Sequence, residues 1–122
     1  MQIKNPLDVL TDTSTTSEIK QAISYIAIKY GLDYEKFVYT VEHESSFDPH
    51  AISPGGSSVG PSQYTLPTWL QYCSDKDDRT DIAKSLNCMG YMWSIGLQYH
   101  WDAYCFHYYD EKCIKLRGLY PK

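Results

Sequence analysis

The sequence lacks any apolar run long enough to cross a membrane, and it lacks an excess of positive charge. Its 122 residues include 11 Lys and Arg against 15 Asp and Glu, which gives a formal net charge of −4 at pH 7. Without a basic stripe to meet phosphate groups, the chain is not expected to bind nucleic acid. The amino terminus also lacks the apolar core of a signal peptide. These absences predict a globular protein with neither a nucleic-acid partner nor a membrane segment.

The chain is also too short for two hydrophobic cores, so we predict one domain. Residues 1–16 end in a polar run and are predicted to be a loosely ordered lead-in, and residues 17–122 form the domain, which we expect to be monomeric. The sequence holds 12 Tyr and 3 Trp. Such aromatic residues can line a sugar groove, because their flat faces stack on pyranose rings, although they also serve as ordinary packing residues.

Metal-binding patterns are missing as well. There is no Cys-x-x-Cys pair and no close cluster of cysteine and histidine, which argues against a zinc site. The acidic run Asp75-Lys76-Asp77-Asp78-Arg79 lacks the glycine and the closing glutamate of an EF-hand loop, and a solvated surface loop is the better interpretation. We therefore expect no metal ion and no cofactor.

Four cysteines are present, at positions 73, 88, 105 and 113. Their even number favours disulfides, for which three pairings exist, and four buried free thiols are the alternative. The sequential pairs Cys73–Cys88 and Cys105–Cys113 are favoured because both close short loops. Disulfides predict an extracytoplasmic location (secreted, periplasmic or associated with the cell wall). Since this chain shows no export signal, we expect that one was removed ahead of Met1.

Helix signals recur along the chain and predict a mainly helical fold. Helix starts are marked by capping residues or by proline at Thr15, Asp33, Pro67 and Thr80 or Asp81. Gly31 is placed to end the first helix, Asp48-Pro49 to end the second, and Gly96 marks a break after the fourth. A further short helix is predicted over residues 99–105. Residues 52–64 are rich in Ser, Gly and Pro, and predict a small irregular β or loop element.

Two acids, Glu42 and Glu44, follow the apolar stripe of the second helix, and periodicity alone does not choose between them. An acid in the last turn of a helix, next to Val41 and Phe37, is expected to have a raised pKa, because burial and the negative end of the helix dipole both disfavour its charge. Such an acid can protonate the leaving oxygen of a glycosidic bond.

The residues around Glu44 form an ordered set of motifs. They read Glu44-Ser45-Ser46-Phe47-Asp48-Pro49, Ala51-Ile52-Ser53, Gly60-Pro61-Ser62-Gln63 and Pro67-Thr68. This order resembles the soluble-type lytic transglycosylases of the lysozyme-like superfamily. The resemblance covers residues 17–105 and is concentrated in the first half. It implies an α+β lysozyme-like fold in which a helical domain carries the small β element beside the active-site cleft.

The resemblance also implies roles for single residues. Glu44 would act first as acid and then as base, cleaving the MurNAc-(β1,4)-GlcNAc bond of peptidoglycan and closing a 1,6-anhydroMurNAc ring without water. Ser53 would be a hydrogen-bond partner of Glu44, and Gln63 would hold an N-acetyl sugar or the loop around it. Ala103-Tyr104 is similar to the start of an Ala-Tyr-Asn motif, which would place the Tyr104 hydroxyl near the glutamate, although Cys105 replaces the asparagine. The turn between Ser53 and Gly60 is longer than the family pattern.

Two alternatives remain open at this point. A hydrolytic muramidase on the same fold would need a second carboxylate, for which Asp102 is the candidate, whereas Asp48 is more simply a turn residue. A catalytically silent glycan-binding module would keep the groove without turnover. The four histidines fall into no triad or metal pattern, and we interpret them as solvated or core-edge residues.

Overall fold

The computed structural model describes residues 5–119, so residues 1–4 of the predicted lead-in and residues 120–122 of the predicted domain lie outside it. It contains helices α1 to α6 and a two-stranded sheet. In chain order these are α1 (Thr16–Tyr30), α2 (Tyr34–Ser45), β1 (Ser58–Val59), β2 (Tyr64–Thr65), α3 (Leu66–Tyr72), α4 (Ile82–Ser94), a 3₁₀ turn (Gln98–His100), α5 (Asp102–Tyr108) and α6 (Glu111–Arg117). The predicted mainly helical fold with a small β element is confirmed. Within residues 5–119, no helix is long and apolar enough to span a bilayer.

Helix α1 begins and ends where its capping residues predict. The Thr15 hydroxyl accepts a hydrogen bond from the Glu18 N–H at 3.1 Å, and the Glu18 carboxylate accepts one from the Thr15 N–H at 2.8 Å. Gly31 closes the helix in the left-handed conformation, with φ at 68°. Ahead of this helix the chain forms turns, and the Leu7 side chain packs into the hydrophobic core.

The core is built where α1 packs against α2 and α4. A Cβ atom on Gly90 would lie only 2.4 Å from Cγ2 of Ile26, so the close approach of α1 and α4 requires glycine at this position. The fully buried Phe37 of α2 contacts Trp93 of α4 edge to face, with ring centroids 5.0 Å apart. Helix α2 is therefore held between the core and α5, which fixes its carboxyl end.

The end of α2 differs from the prediction. The helix ends at Ser45 rather than at Asp48-Pro49, because Ser46 and Phe47 both adopt left-handed backbone angles, with φ at 52° and 62°. This conformation is uncommon for a bulky residue. The turn directs the Phe47 ring into the core, where 8% of the residue is exposed. Burial of this ring ends the helix before the proline can.

The segment after α2 forms the predicted irregular hairpin. Strands β1 and β2 pair antiparallel, with Val59 opposite Tyr64, and Ile52 forms an isolated bridge to Val59. Gly60, with φ at 92°, lies against the following loop, and a Cβ atom there would be 2.2 Å from the Arg79 carbonyl oxygen. The hairpin and the loop before α4 are thus packed together.

That loop, residues 74–81, is less solvated than predicted. The Asp78 carboxylate accepts a hydrogen bond of 2.9 Å from the Trp69 indole. Only 11% of the Arg79 side chain is exposed, and its guanidinium donates to the Tyr64 carbonyl at 3.1 Å. The prediction was wrong at these two residues, since both hold the loop onto α3 and the hairpin.

Both predicted disulfides are present. Cys73 at the end of α3 bonds Cys88 of α4, and Cys105 of α5 bonds Cys113 of α6, with Cα separations of 5.6 Å and 5.5 Å. The sequential pairing is confirmed, and the alternative of four free thiols is wrong, because the described residues contain no free cysteine. Two disulfides are typical of proteins that fold in an oxidising, extracytoplasmic environment.

The last third of the chain departs from the prediction in two places. The expected helix over residues 99–105 is a 3₁₀ turn followed by α5, because Trp101 between them is extended and donates its indole N–H to the Ser62 carbonyl at 2.8 Å. Helix α6 was not predicted. Asp110 caps it by accepting the Cys113 N–H at 2.9 Å, and Gly118 ends it in the left-handed conformation.

Candidate active site

Glu44 lies in the last turn of α2 and is half-buried where this helix meets α5. Its Oε1 accepts a hydrogen bond of 3.0 Å from the backbone N–H of Ala103. Burial raises the pKa of the Glu44 carboxyl above its ordinary value. The Ala103 N–H opposes this effect, and the charges of Asp102 and Arg117 act in opposite directions, raising and lowering it respectively. This direction agrees with the effect expected from burial, whereas Glu42, the other acid at the stripe, is exposed.

Glu44 opens onto a cleft with a volume of about 320 Å³. The cleft runs between the end of α2, the hairpin, the start of α3 and the start of α5. Its lining is mostly polar, and aromatic rings form part of the wall. The lining residues are Glu44, Ser58, Gln63, Tyr64, Thr65, Thr68, His100, Trp101 and Asp102.

Gln63 lines this cleft and holds its loop. Its Nε2 donates to the carbonyl oxygens of Ala51 and Gly60, both at 2.9 Å, and two carbonyl acceptors fix the orientation of the amide. Within residues 5–119, no hydrogen bond reaches its Oε1. Of the two roles that the resemblance implies, the side chain holds the loop through its nitrogen, and its oxygen is the atom left for a ligand.

Ser53 lies in the loop that leads into β1 and not at the cleft lining. Its hydroxyl accepts the Ser58 N–H at 3.0 Å, and its own N–H donates to the Ser58 carbonyl at 2.9 Å. Among the described residues, the hydrogen bond to the Glu44 carboxylate comes from Ala103 and not from Ser53. Ser53 therefore shapes the loop beside the cleft.

Tyr104 occupies a different position from the one that the resemblance implies. Its hydroxyl donates to the Asp110 carboxylate at 2.6 Å, and its ring packs against Trp93 with centroids 5.1 Å apart. Burial, together with this carboxylate, raises the pKa of the phenol well above its usual range. The Ala103 N–H, rather than the Tyr104 hydroxyl, contacts Glu44, so the sequence motif marks the correct segment but a different atom.

Asp102 is the second carboxylate at the cleft, and it is paired. Its Oδ1 accepts a hydrogen bond from Nη2 of Arg117, and Nη1 of Arg117 donates to the Tyr99 carbonyl at 3.2 Å. The side chain of Asp102 is 63% exposed and that of Arg117 is 29% exposed. The candidate second acid is therefore engaged by a cation from α6.

Several cleft residues were missed in the sequence. The Trp101 and Tyr64 rings meet edge to face with centroids 5.5 Å apart, and the Tyr64 hydroxyl donates to the Met92 sulfur at 3.3 Å. The Thr65 and Thr68 hydroxyls are 3.2 Å apart. His100 also lines the cleft, and burial, with a smaller contribution from Arg117, lowers its pKa. The density of aromatics around Tyr99 was visible in the sequence, but its pattern did not show which rings face the cleft.

A second, open groove of about 310 Å³ shares Glu44 and Asp102 with the cleft. Its wall includes Tyr39, whose ring stacks on His43 and on His107 with centroid distances of 3.9 Å and 4.2 Å. This set of rings lies on the α2–α5 surface beside the acid. Within residues 5–119, no group of three or more His, Cys, Asp or Glu side chains has the geometry of a metal site.

Comparison of this chain with protein-family models, with curated proteins and with solved structures finds no match in any of the three. The function is therefore inferred from the chemistry of the cleft. The cleft presents one half-buried acid with a raised pKa, a second acid that is paired with an arginine, and a polar wall with aromatic rings. This arrangement suits general acid–base work on a polar substrate.

Proposed function

We propose that this protein is a lytic transglycosylase, which cleaves the MurNAc-(β1,4)-GlcNAc bond of peptidoglycan and forms 1,6-anhydroMurNAc. The observation that carries the proposal is the environment of Glu44. A carboxyl whose pKa is raised by burial keeps its proton closer to neutral pH, and the open cleft gives a glycan strand access to it.

In the proposed reaction, Glu44 donates its proton to the glycosidic oxygen as the bond to the anomeric carbon breaks. Positive charge develops at that carbon, and the GlcNAc-bearing fragment leaves as an alcohol. The ionised carboxylate then takes the proton of the MurNAc 6-hydroxyl. At the same time, the oxygen of this hydroxyl bonds to the anomeric carbon. The ring closes, Glu44 regains its proton, and no water is consumed.

The hydrogen bond from Ala103 supports both steps. It stabilises the ionised form of Glu44 and so opposes the rise in pKa that burial causes. The protonated and ionised forms of the carboxyl therefore lie closer in free energy. A group that must give and then take a proton needs such a balance. The bond also fixes the direction of the carboxyl group.

The cleft wall offers groups that suit an amino-sugar polymer. Gln63 presents an amide oxygen that can accept an acetamido N–H, Thr65 and Thr68 present hydroxyls, and Trp101 lines the cavity with an indole ring. Flat rings with polar neighbours bind sugars through stacking and hydrogen bonds. We therefore propose peptidoglycan strands as the partner, a secreted, periplasmic or wall-associated location, and a monomeric protein.

A hydrolytic muramidase is the second candidate, because Asp102 lines the same cleft as Glu44. Hydrolysis requires a carboxylate that activates water or acts as a nucleophile. The contact of Asp102 with Arg117 weighs against that role, because it engages the carboxylate. A silent glycan-binding module has no need of a half-buried acid.

The decisive experiment is digestion of purified peptidoglycan by the wild type and by Glu44→Gln, followed by mass spectrometry of the released muropeptides. Glutamine keeps an oxygen that can accept the Ala103 N–H, so the variant is expected to fold. Anhydromuropeptides from the wild type alone support the proposal. Reducing-end products, one water heavier, indicate a hydrolase, and a folded wild type that binds glycan without products indicates the binding module. Equal activity of the two proteins contradicts the role of Glu44.

A further inference from the structure

Helix α6 is fastened to the rest of the domain at several points. The Cys105–Cys113 disulfide joins it to α5, and Lys112 donates to the Gly96 carbonyl at 2.9 Å. Asp110 caps the helix and also accepts the Tyr104 hydroxyl. These contacts fix the direction of α6, so its last residue, Arg117, reaches Asp102 from a defined position.

The guanidinium of Arg117 makes three contacts with α5 and with the 3₁₀ turn before it. Nη2 donates to Asp102, Nη1 donates to the Tyr99 carbonyl, and the group lies 5.9 Å from the centroid of the Phe106 ring. With 29% of the side chain exposed, it is more shielded than a free surface arginine. A planar guanidinium with several partners is held more firmly than a lysine ammonium.

Asp102 directly precedes Ala103, whose N–H contacts Glu44. The arginine therefore reaches the acid through two consecutive residues, Asp102 and Ala103. Of the described residues that line the cleft and the adjoining groove, none is a lysine or an arginine. The negative charge that Asp102 brings to the cleft is thus balanced from α6.

We infer that Arg117 is the positioning residue of this site, which engages Asp102, steadies the start of α5 against Glu44 and leaves Glu44 as the carboxyl that transfers protons. The inference deepens the proposed function and rests on it for its catalytic meaning. Its structural content concerns the position of α5 and the charge balance around Glu44, and neither depends on the reaction.

The charges of this network oppose each other at Glu44. Asp102 raises the pKa of the Glu44 carboxyl and Arg117 lowers it. The other titratable groups that face the site are histidines and tyrosines, and they are the same in every variant below. They are Tyr39 and His43 on α2, His107 on α5, His100 in the 3₁₀ turn and Tyr64 on β2.

Titration of the Glu44 carboxyl carbon by NMR in the whole chain tests the inference without any substrate. We expect Arg117→Gln to raise the pKa of Glu44 and Asp102→Asn to lower it, because each substitution removes one of two opposing charges. Lys115→Gln is the matched control, since Lys115 lies on the same helix, is exposed and pairs with Glu111. It should leave the Glu44 pKa unchanged.

Arg117→Lys completes the series, because it keeps the charge but loses the two-nitrogen contact. Partial return of the Glu44 pKa toward the wild-type value supports the inference. If the pKa of Glu44 in Arg117→Gln equals that in the Lys115→Gln control, the inference is overturned. Should Arg117→Gln fail to fold, Asp102→Asn decides, and a pKa of Glu44 that does not fall counts against a balanced pair.

The pH profile of peptidoglycan cleavage links this result to activity. We expect the alkaline limb to move up in Arg117→Gln and down in Asp102→Asn, following the Glu44 pKa. A wild type that cleaves no glycan refutes the proposed function, while the titration still decides the role of Arg117. If the wild type cleaves glycan but Glu44 titrates identically in all variants, only the role of Arg117 is refuted.

Discussion

The backbone N–H of Ala103 lies 3.0 Å from Oε1 of Glu44, so α2 and α5 meet at one hydrogen bond on the proposed acid. This contact joins residues far apart in sequence and makes the cleft sensitive to the position of α5. Helix α5 is in turn bonded to α6 through Cys105 and Cys113. The environment of Glu44 therefore depends on the packing of α2, α5 and α6.

The raised pKa of Glu44 predicts a cost to stability at neutral pH. Because the folded protein holds this proton more tightly than the unfolded chain, stability falls as pH rises from the ordinary value of 4.5 through the raised folded value. Glu44→Gln removes this cost. We expect it to stabilise the protein at pH 7, because it removes the charge that burial disfavours.

Thermal and urea unfolding of both proteins at pH 7 and pH 4 measures this effect, and Glu42→Gln is the control because Glu42 is exposed. The gain in Glu44→Gln should shrink at pH 4, where the wild-type carboxyl is largely protonated. A gain that is the same at both pH values contradicts burial as the cause.

Gln63→Glu tests the role of the amide nitrogen in holding the cleft loop. The substitution keeps the shape of the side chain but places a carboxylate oxygen against the Ala51 and Gly60 carbonyls. We expect a loss of about 1–3 kcal/mol, the usual cost of leaving buried acceptors without their donor. Urea unfolding measures it. Gln71→Glu, exposed on α3, makes the same change of charge and should stay within about 0.5 kcal/mol of the wild type.

Gly60→Ala tests the close contact between the hairpin and the loop before α4. A Cβ atom would lie 2.2 Å from the Arg79 carbonyl oxygen, and the backbone has φ at 92°. Both the clash and the backbone strain act, so we expect a loss of more than about 2 kcal/mol. Gly56→Ala separates the two effects, because Gly56 has φ at 77° with no atom within 4 Å of the added Cβ. Equal losses at the two sites in thermal unfolding would argue against the packing contact.

Tyr104→Phe distinguishes the observed position of this hydroxyl from the one that the resemblance implies. Loss of the 2.6 Å bond to Asp110 should destabilise the protein by about 1 kcal/mol. Cleavage of peptidoglycan should stay within about twofold of the wild type, because the hydroxyl is engaged away from Glu44. A loss of activity of 100-fold or more, about 2.7 kcal/mol, in a stably folded variant would return the hydroxyl to the reaction. Tyr91→Phe, at an exposed tyrosine of α4, is the control for stability.

The parts of the fold that the sequence predicted are those fixed by local chemistry. The Thr15–Glu18 capping box, the left-handed Gly31 and the Asp33 and Asp81 caps act within a few residues, and each appears in the structure. The break at Trp101 depends instead on a hydrogen bond to Ser62, a contact between distant segments that leaves no local pattern. Helix α6 did carry local signals in Asp110 and Gly118, and these were overlooked.

The predictions for the candidate site also separate into those fixed by local sequence and those that depend on contacts between distant segments. Glu44 stands out in sequence because its motif and the end of its helix coincide. The apolar stripe of α2 does not distinguish it from the exposed Glu42, whereas the contact with Ala103 of α5 does. The Ala103-Tyr104 motif marked the correct segment, but the contact is made by a backbone N–H that is invisible to side-chain patterns. Arg117 carries no pattern of its own. Only the packing of α6 shows that it meets Asp102.

The disulfide between Cys105 and Cys113 ties the surroundings of the cleft to the redox state of the chain. Arg117 is held at Asp102 by a helix that this disulfide joins to α5, in addition to the hydrogen bonds of Asp110 and Lys112. Disulfides form and persist under oxidising conditions. In a reduced chain, the contact of Arg117 with Asp102 would therefore depend on the hydrogen bonds of α6 alone.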